Sequence, residues 1–480
     1  MHINDFPSEI LNQILGEAAE VNAKQGVAWT FGLSQADIPV QPTKLARYVR
    51  GPVSADSLNW DSVSSLRQVC ERWHDWSLQY ALHDIYLRRW RGSERWAEIS
   101  IRRQSYDIYE LIDKPSGCPV YRDPYAELRH TGDLFVRCPA VTQHIRRLWF
   151  NGFFTREAEA LIFKVLRSCR YLEAISVPWT LLRHGSAQDW RHLLGIAHND
   201  DVPITSLELQ AQCLPEVITN VPNIAVDRQP LSDDRVDFGS LKRLKLIGNT
   251  TFLPVNDDDL ATIARSATDL EEFHITCLST VTIRGVMDIV KAAKPTLRVL
   301  EHSPRSNDGF FHPDPGTVDP DEHICDILIN CPKLRDLSIS SPSMCSHLFS
   351  NEDVRWDGEC QVRALRLCDA DASSPKAKLA SLKRLLDQAR NLIESQRRRH
   401  IELDIELFFA ECIFDPRDCV VHGDFSLPQI SSGGRWPSTK TESSKGPYGS
   451  TGLYGKDEGD WELVSEEEYL RAVEAGWISI

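Results

Sequence analysis

The stretch Ile327–Ile339 reads I-L-I-N-C-P-K-L-R-D-L-S-I. A helical apolar pattern runs straight into a segment whose apolar residues, Leu334, Leu337 and Ile339, stand at +3 and +5. The closing alternation has the period of a strand, and the preceding residues have that of a helix. Val165–Val177, V-L-R-S-C-R-Y-L-E-A-I-S-V, repeats the arrangement.

Working outward, the same triple recurs as Ile145/Leu148/Phe150, Leu172/Ile175/Val177, Ile204/Leu207/Leu209, Leu241/Leu244/Leu246, Leu270/Phe273/Ile275 and Val362/Leu365/Leu367. Another, Leu297/Leu300, breaks at His302. With 42% hydrophobic residues, roughly 7% of random windows match such a triple, so context carries the reading. Helical patterns lie between the triples at Thr155–Ser168, Asp257–Ala267, Val281–Ala293, Asp321–Asn330 and Lys376–Ser395. The middle residues, at 148, 175, 207, 244, 273, 300, 337 and 365, stand 27–37 residues apart. That is the period of a strand-plus-helix repeat with variable loops. Ile401, Leu403, Ile405 and Leu407 alternate as a closing strand.

Each strand turns two apolar side chains inward and a helix covers them. No single repeat buries its own face, so stacking is obligatory. The expected class is α/β, with an ordinary α/β domain as the alternative architecture. Alternation along a strand sends the intervening residues to the other face. It predicts as exposed, and as candidates for binding a target protein, Arg147, Trp149, Glu208, Gln210, Arg243, Lys245, Glu272, His274, Asp336, Ser338 and Arg366. Charged and polar with one aromatic, this set suits a protein surface better than a small apolar ligand. The C-P-K-L-R-D-L wording resembles leucine-rich repeats, and the resemblance implies an irregular strand–helix solenoid.

The N-terminus is helical by pattern. Pro7 suits a first turn, Asp5 and Glu9 lie where the helix dipole favours negative charge, and Ile10, Leu11, Ile14, Leu15 and Ala18 form an apolar stripe. Val63, Leu66, Val69 and Cys70 form a second short face, which Trp73, Trp76 and Leu82 continue. Together F-P-S-E-I-L (Phe6–Leu11) and V-C-E-R-W (Val69–Trp73) resemble the F-box, whose pattern opens Leu-Pro-x-Glu-Ile and later carries Val-Cys-x-x-Trp. Phe6 stands where the family has Leu, and Val21–Asp61, with Gly26, Gly32, Pro39, Pro42, Gly51 and Pro52, reads as an inserted loop. Loop-closure cost grows only logarithmically with length, so the module tolerates it. The resemblance implies a Skp-type adaptor, and through it a cullin scaffold, as partners. It implies Phe6, Pro7, Glu9, Ile10, Leu11, Ile14, Leu15, Val69, Cys70 and Trp73 at or beneath that interface. The implied function is substrate recognition for an SCF-type cullin-RING ubiquitin ligase. The alternative is a repeat scaffold acting outside ubiquitination.

The remaining features narrow the field. A net charge of −15 over 480 residues argues against nucleic acid or an anionic membrane surface as partner. No run approaches a membrane span and no signal peptide is expected. The 13 cysteines are odd in number and lack a C-x-x-C pair, which points to reduced thiols in a cytoplasmic or nuclear protein and to no metal site. No phosphate-binding loop, nucleophile elbow or H-E-x-x-H is present, so neither enzyme activity nor a cofactor is expected. Gly/Ser/Pro-rich composition predicts a disordered linker at 426–460, and Ser465 with Glu468 predicts a capping box opening a C-terminal helix. The expected organisation is a helical module at 1–95, a connecting segment at 96–143, repeats at 144–425, the linker, and a helix within 461–480.

Overall fold

The structure, a computed structural model, describes residues 3–25, 63–88, 109–112, 119–122, 125–151, 156–179, 181–195, 203–211, 230–250, 255–278, 281–303, 317–319, 322–344, 346–367, 374–409, 412–423 and 462–477. The chain forms two compact units: residues 1–204 with 214–230, and residues 205–213 with 231–480. The expected linker at 426–460 and most of the expected insertion lie outside the described residues.

In the first unit, a 3-10 turn at Ile3–Asp5 precedes α1 (Ser8–Gln25), α2 (Ser64–Arg67) and α3 (Glu71–His83). The Pro7 carbonyl accepts from Leu11 N at 3.0 Å, starting α1 where the proline pattern predicts. α1 runs to Gln25, so Val21 belongs to the helix and not to the inserted loop. β1 (Asp84–Arg88) follows α3 directly. An antiparallel hairpin, β2 (Tyr109–Ile112) and β3 (Pro119–Arg122), comes next, then α4 (Ala126–Arg137) and α5 (Pro139–Thr142). β4 (Arg147–Asn151), α6 (Arg156–Arg167), β5 (Ala174–Pro178), α7 (Leu181–His184) and α8 (Ala187–Leu193) complete it. β1 pairs in parallel with β4, and β4 with β5. The parallel sheet therefore begins at Asp84, inside the span read as a helical module. The short alternation of Ile85 and Leu87 with polar neighbours is masked in the sequence by the aromatic-rich run around it.

The second unit holds β6 (Ser206–Ala211), β7 (Arg243–Thr250), α9 (Asp257–Ala264), β8 (Glu272–Leu278), α10 (Ile283–Ala292) and β9 (Val299–Ser303). A small antiparallel pair, β10 (Thr317–Asp319) and β11 (Glu322–His323), leads into α11 (Ile324–Ile329). β12 (Asp336–Met344), β13 (Gly358–Leu367), α12 (Pro375–Arg398) and β14 (Leu403–Phe409) follow. β6, β7, β8, β9, β12, β13 and β14 pair in that order, all in parallel. β15 (Cys412–Asp415), β16 (Val420–Gly423) and β17 (Glu462–Ser465) extend the sheet antiparallel, and α13 (Glu466–Glu474) ends the described chain.

Register explains the core. Leu207, Leu244, Phe273, Leu300, Leu337, Cys360 and Ile405 lie side by side and all are buried. The row two residues on is Leu209, Leu246, Ile275, His302, Ile339, Val362 and Leu407, also buried. His302 thus fills the third position of the triple that breaks in sequence. Burying each large aliphatic side chain contributes roughly 1.5–3 kcal/mol before entropy is counted. The triple Val362/Leu365/Leu367 is corrected by this register. Leu337 pairs with Cys360 and Ile339 with Val362, so Val362 occupies the last position and not the first.

Strand entry repeats as well. The Thr205 carbonyl accepts from Lys242 N and Arg243 N, that of Lys242 from Glu271 N and Glu272 N, and that of Arg298 from Arg335 N and Asp336 N. Successive repeats are further joined at α9 and α10. Asp257 accepts from Thr282 N at 2.8 Å and from its hydroxyl at 2.6 Å. A Cβ at Gly285 would collide with the Asp257 carboxylate, so only glycine fits there without a shift.

Candidate functional site

The two halves of the N-terminal pattern meet in the first unit. Leu11, Leu15 and Ala19 of α1 pack with Val63 and Leu66 into a small core, flanked by Ile3, Ala18, Trp73 and Trp76. Polar contacts bridge the same gap. Trp73 Nε1 donates to Asn4 Oδ1 at 2.8 Å, and Arg72 donates to the Asn4 carbonyl at 2.8 Å and the Ser8 hydroxyl at 3.3 Å. Asn22 donates to the Ser65 hydroxyl at 3.3 Å. Trp76 stacks on Tyr80 with ring centroids 5.0 Å apart. Burial, together with the Glu20 and Asp84 carboxylates, pushes the Tyr80 phenol up.

The apolar stripe of α1 is divided between two environments. Leu11 and Leu15 are 2% and 1% exposed and belong to the core. Ile10 and Ile14 are 43% and 36% exposed, and Val69 is 55% exposed. Pro7 and Glu9 are also exposed, while Phe6, Cys70 and Trp73 are half-buried. Cys70, in extended backbone, precedes α3, and its Sγ lies 3.7 Å from Asn4 Nδ2. Pattern alone missed Val21, 43% exposed and seven residues beyond Ile14, which puts it on the same helix face. It also missed Asn4, whose bridging role has no sequence signal.

The second unit carries a different candidate. On the sheet face opposite the core rows, register aligns Glu208, Lys245, His274, Glu301 and Ser338. His274 is 2.7 Å from Glu301 through Nδ1 and 3.3 Å from Glu272 through Nε2. Arg243 donates twice to the Glu272 carboxylate, at 2.6 and 2.7 Å. Burial acts to raise the Glu272 carboxyl, but hydrogen bonds from His274 and Arg243 hold it well below the usual range. Burial lowers the Lys245 amine.

The exposure expected of this row is corrected in part. Glu208, His274 and Ser338 are buried, at 7%, 1% and 6%. Strands roughly 4.8 Å apart bring long side chains together, and opposite charges cover one another across the ladder. Lys245, Glu272 and Asp336 are half-buried, and Arg243 is exposed. In the first unit, Arg147 is exposed, 3.5 Å from Asp84, and Trp149 is half-buried. Gln210 and Arg366 lie on β6 and β13, opposite Ile247 and Ser343. Arg366 was placed from the misframed triple. Register puts Gln361 in the position corresponding to Ser338. Glu301 was missed because its triple breaks, although its place between Leu300 and His302 gives the same alternation.

Among the described residues no helix is long and apolar enough to cross a membrane. No family model matches the chain, and no curated protein is similar to it.

Proposed function

We propose that this chain is the substrate-recognition subunit of an SCF-type cullin-RING ubiquitin ligase. The helical cluster is an F-box that docks a Skp-type adaptor, and the strand–helix body is an irregular leucine-rich-repeat domain that holds a target protein. The observation carrying this reading is the division of α1: Leu11 and Leu15 close the core while Ile10 and Ile14, one helical turn apart, stay open to water, as does Val69. Apolar side chains left together on a surface mark an interaction site. The chain contributes proximity, presenting the target to a reaction that another subunit performs.

The test is titration of the purified full chain with a purified Skp-type adaptor. A one-to-one complex is expected, abolished by Ile10→Asp combined with Val69→Asp. Both sites are exposed, so circular dichroism of the double variant should match that of the parent. Absence of binding by the unaltered chain contradicts the proposal.

A further inference from the structure

A cleft of about 620 Å³ opens in the second unit beside α12. Its volume falls within the roughly 300–1,000 Å³ of small-ligand sites. Arg390, Glu394 and Arg397 come from α12, at spacings of four and three that place them on one helix face. His400 and Glu402 come from the connection to β14, and Arg417 from the β15–β16 turn. His400 has φ 61°, the left-handed conformation that ends the helix.

The three guanidinium groups are not equivalent. Arg390 is occupied: it donates to Glu466 at 2.7 and 2.9 Å and to Asp387 at 2.6 Å. Among the described residues, the Arg397 and Arg417 side chains have no ion-pair or hydrogen-bond partner. Glu394 shares the wall but lies 3.6 Å from Arg398. Among the described residues, two guanidinium groups without a side-chain partner therefore line one cleft, and an anion there could be bonded by both. The guanidinium fork matches the oxygens of phosphate in paired hydrogen bonds. Glu394 and Glu402 also line the cleft, and their negative charge disfavours an extended polyanion more than a compact anion seated on the two arginines.

We propose that this cleft binds a phosphate group, gripped by Arg397 and Arg417, with Arg390 held in place behind them by Glu466. The phosphate is either free or carried on a peptide, and the two sources are separable. Phosphorus NMR titration of the full chain uses inorganic phosphate in one arm and a phosphoserine peptide in the other. Saturable binding is expected in at least one arm. Arg397→Glu and Arg417→Glu should each weaken it by about ten-fold or more, since each removes a charge-assisted pair. Arg355→Glu, an exposed arginine of the same unit outside the cleft, should leave it unchanged. Tighter binding of the peptide assigns the site to protein-borne phosphate, and equal or tighter binding of the inorganic ion assigns it to free phosphate. No saturable binding in either arm, or binding that survives both cleft substitutions, overturns the proposal. Both arginines are solvent-facing, and near-ultraviolet circular dichroism checks that the variants remain folded.

Discussion

The helical cluster and the strand–helix body break the ordinary rule of burial in opposite directions. In the cluster, apolar Ile10, Ile14 and Val69 face water. In the body, ionisable Glu208, His274 and Glu301 are buried. Among the described residues, the cluster leaves Ile10, Ile14 and Val69 uncovered. The body satisfies buried polar groups internally, with Glu301 and Glu272 bonded to His274 and Arg243 bonded to Glu272. Exposure in one place and saturation in the other therefore point to different roles. A face whose polar groups already bond one another offers a target less than its composition suggests. Lys245, Glu272 and Asp336, half-buried, and exposed Arg243 are among the residues that remain accessible on it.

Substitutions sharpen the contrast. The largest effect is expected from Leu15→Ala, which opens a cavity in the small helical core and should cost about 2–5 kcal/mol. Hydrogen exchange of residues 8–25 and 64–83 measures it, and exchange in the second unit should not change. Glu301→Ala comes next. It strips His274 of its shortest partner and should destabilise the second unit by about 1.5–3 kcal/mol, read from urea unfolding.

A pH effect follows from Glu272. Its carboxyl titrates lower in the folded chain than in the unfolded one, so its stabilisation is complete above the unfolded value of about 4.3. That stabilisation is lost as pH falls below that value toward the folded one. Between about pH 5 and about pH 3 the unaltered chain should therefore lose more stability than Glu272→Gln does. The smallest effect belongs to Lys383→Ala on α12, whose partner Glu474 lies on the C-terminal helix. Its 2.7 Å pair with Glu474 is exposed on both sides and contributes about 0–1 kcal/mol. A loss of several kcal/mol there would show that exposed charge matters more than the comparison allows.

Much of the architecture was legible in sequence. Helix boundaries near Thr155, Asp257, Val281 and Lys376 fall within a few residues of those observed, because apolar period and capping residues act locally. The Ser465–Glu468 capping box forms as its spacing predicts, and Tyr469 and Val473 of that helix are buried while Trp477 is exposed. Register was less legible. The Val362 triple satisfies the pattern but not the pairing, which neighbouring strands decide. β1 and the return strand β17 were missed because each is short and depends on partners distant in sequence.

At the candidate sites, residue type was readable and burial was not. Leu11 and Ile10 are adjacent and chemically alike, yet one is core and the other surface. Only the packing of Val63 and Leu66 against α1 distinguishes them. Glu208 and His274 read as solvent-facing because alternation assigns a face but not what covers it.

The claim that the exposed face of the N-terminal helices is a docking surface is tested most directly by hydrogen exchange of the full chain with and without a Skp-type adaptor. The account predicts new protection confined to residues 6–21 and 65–73. Unchanged exchange there, or protection confined to the second unit, would contradict it.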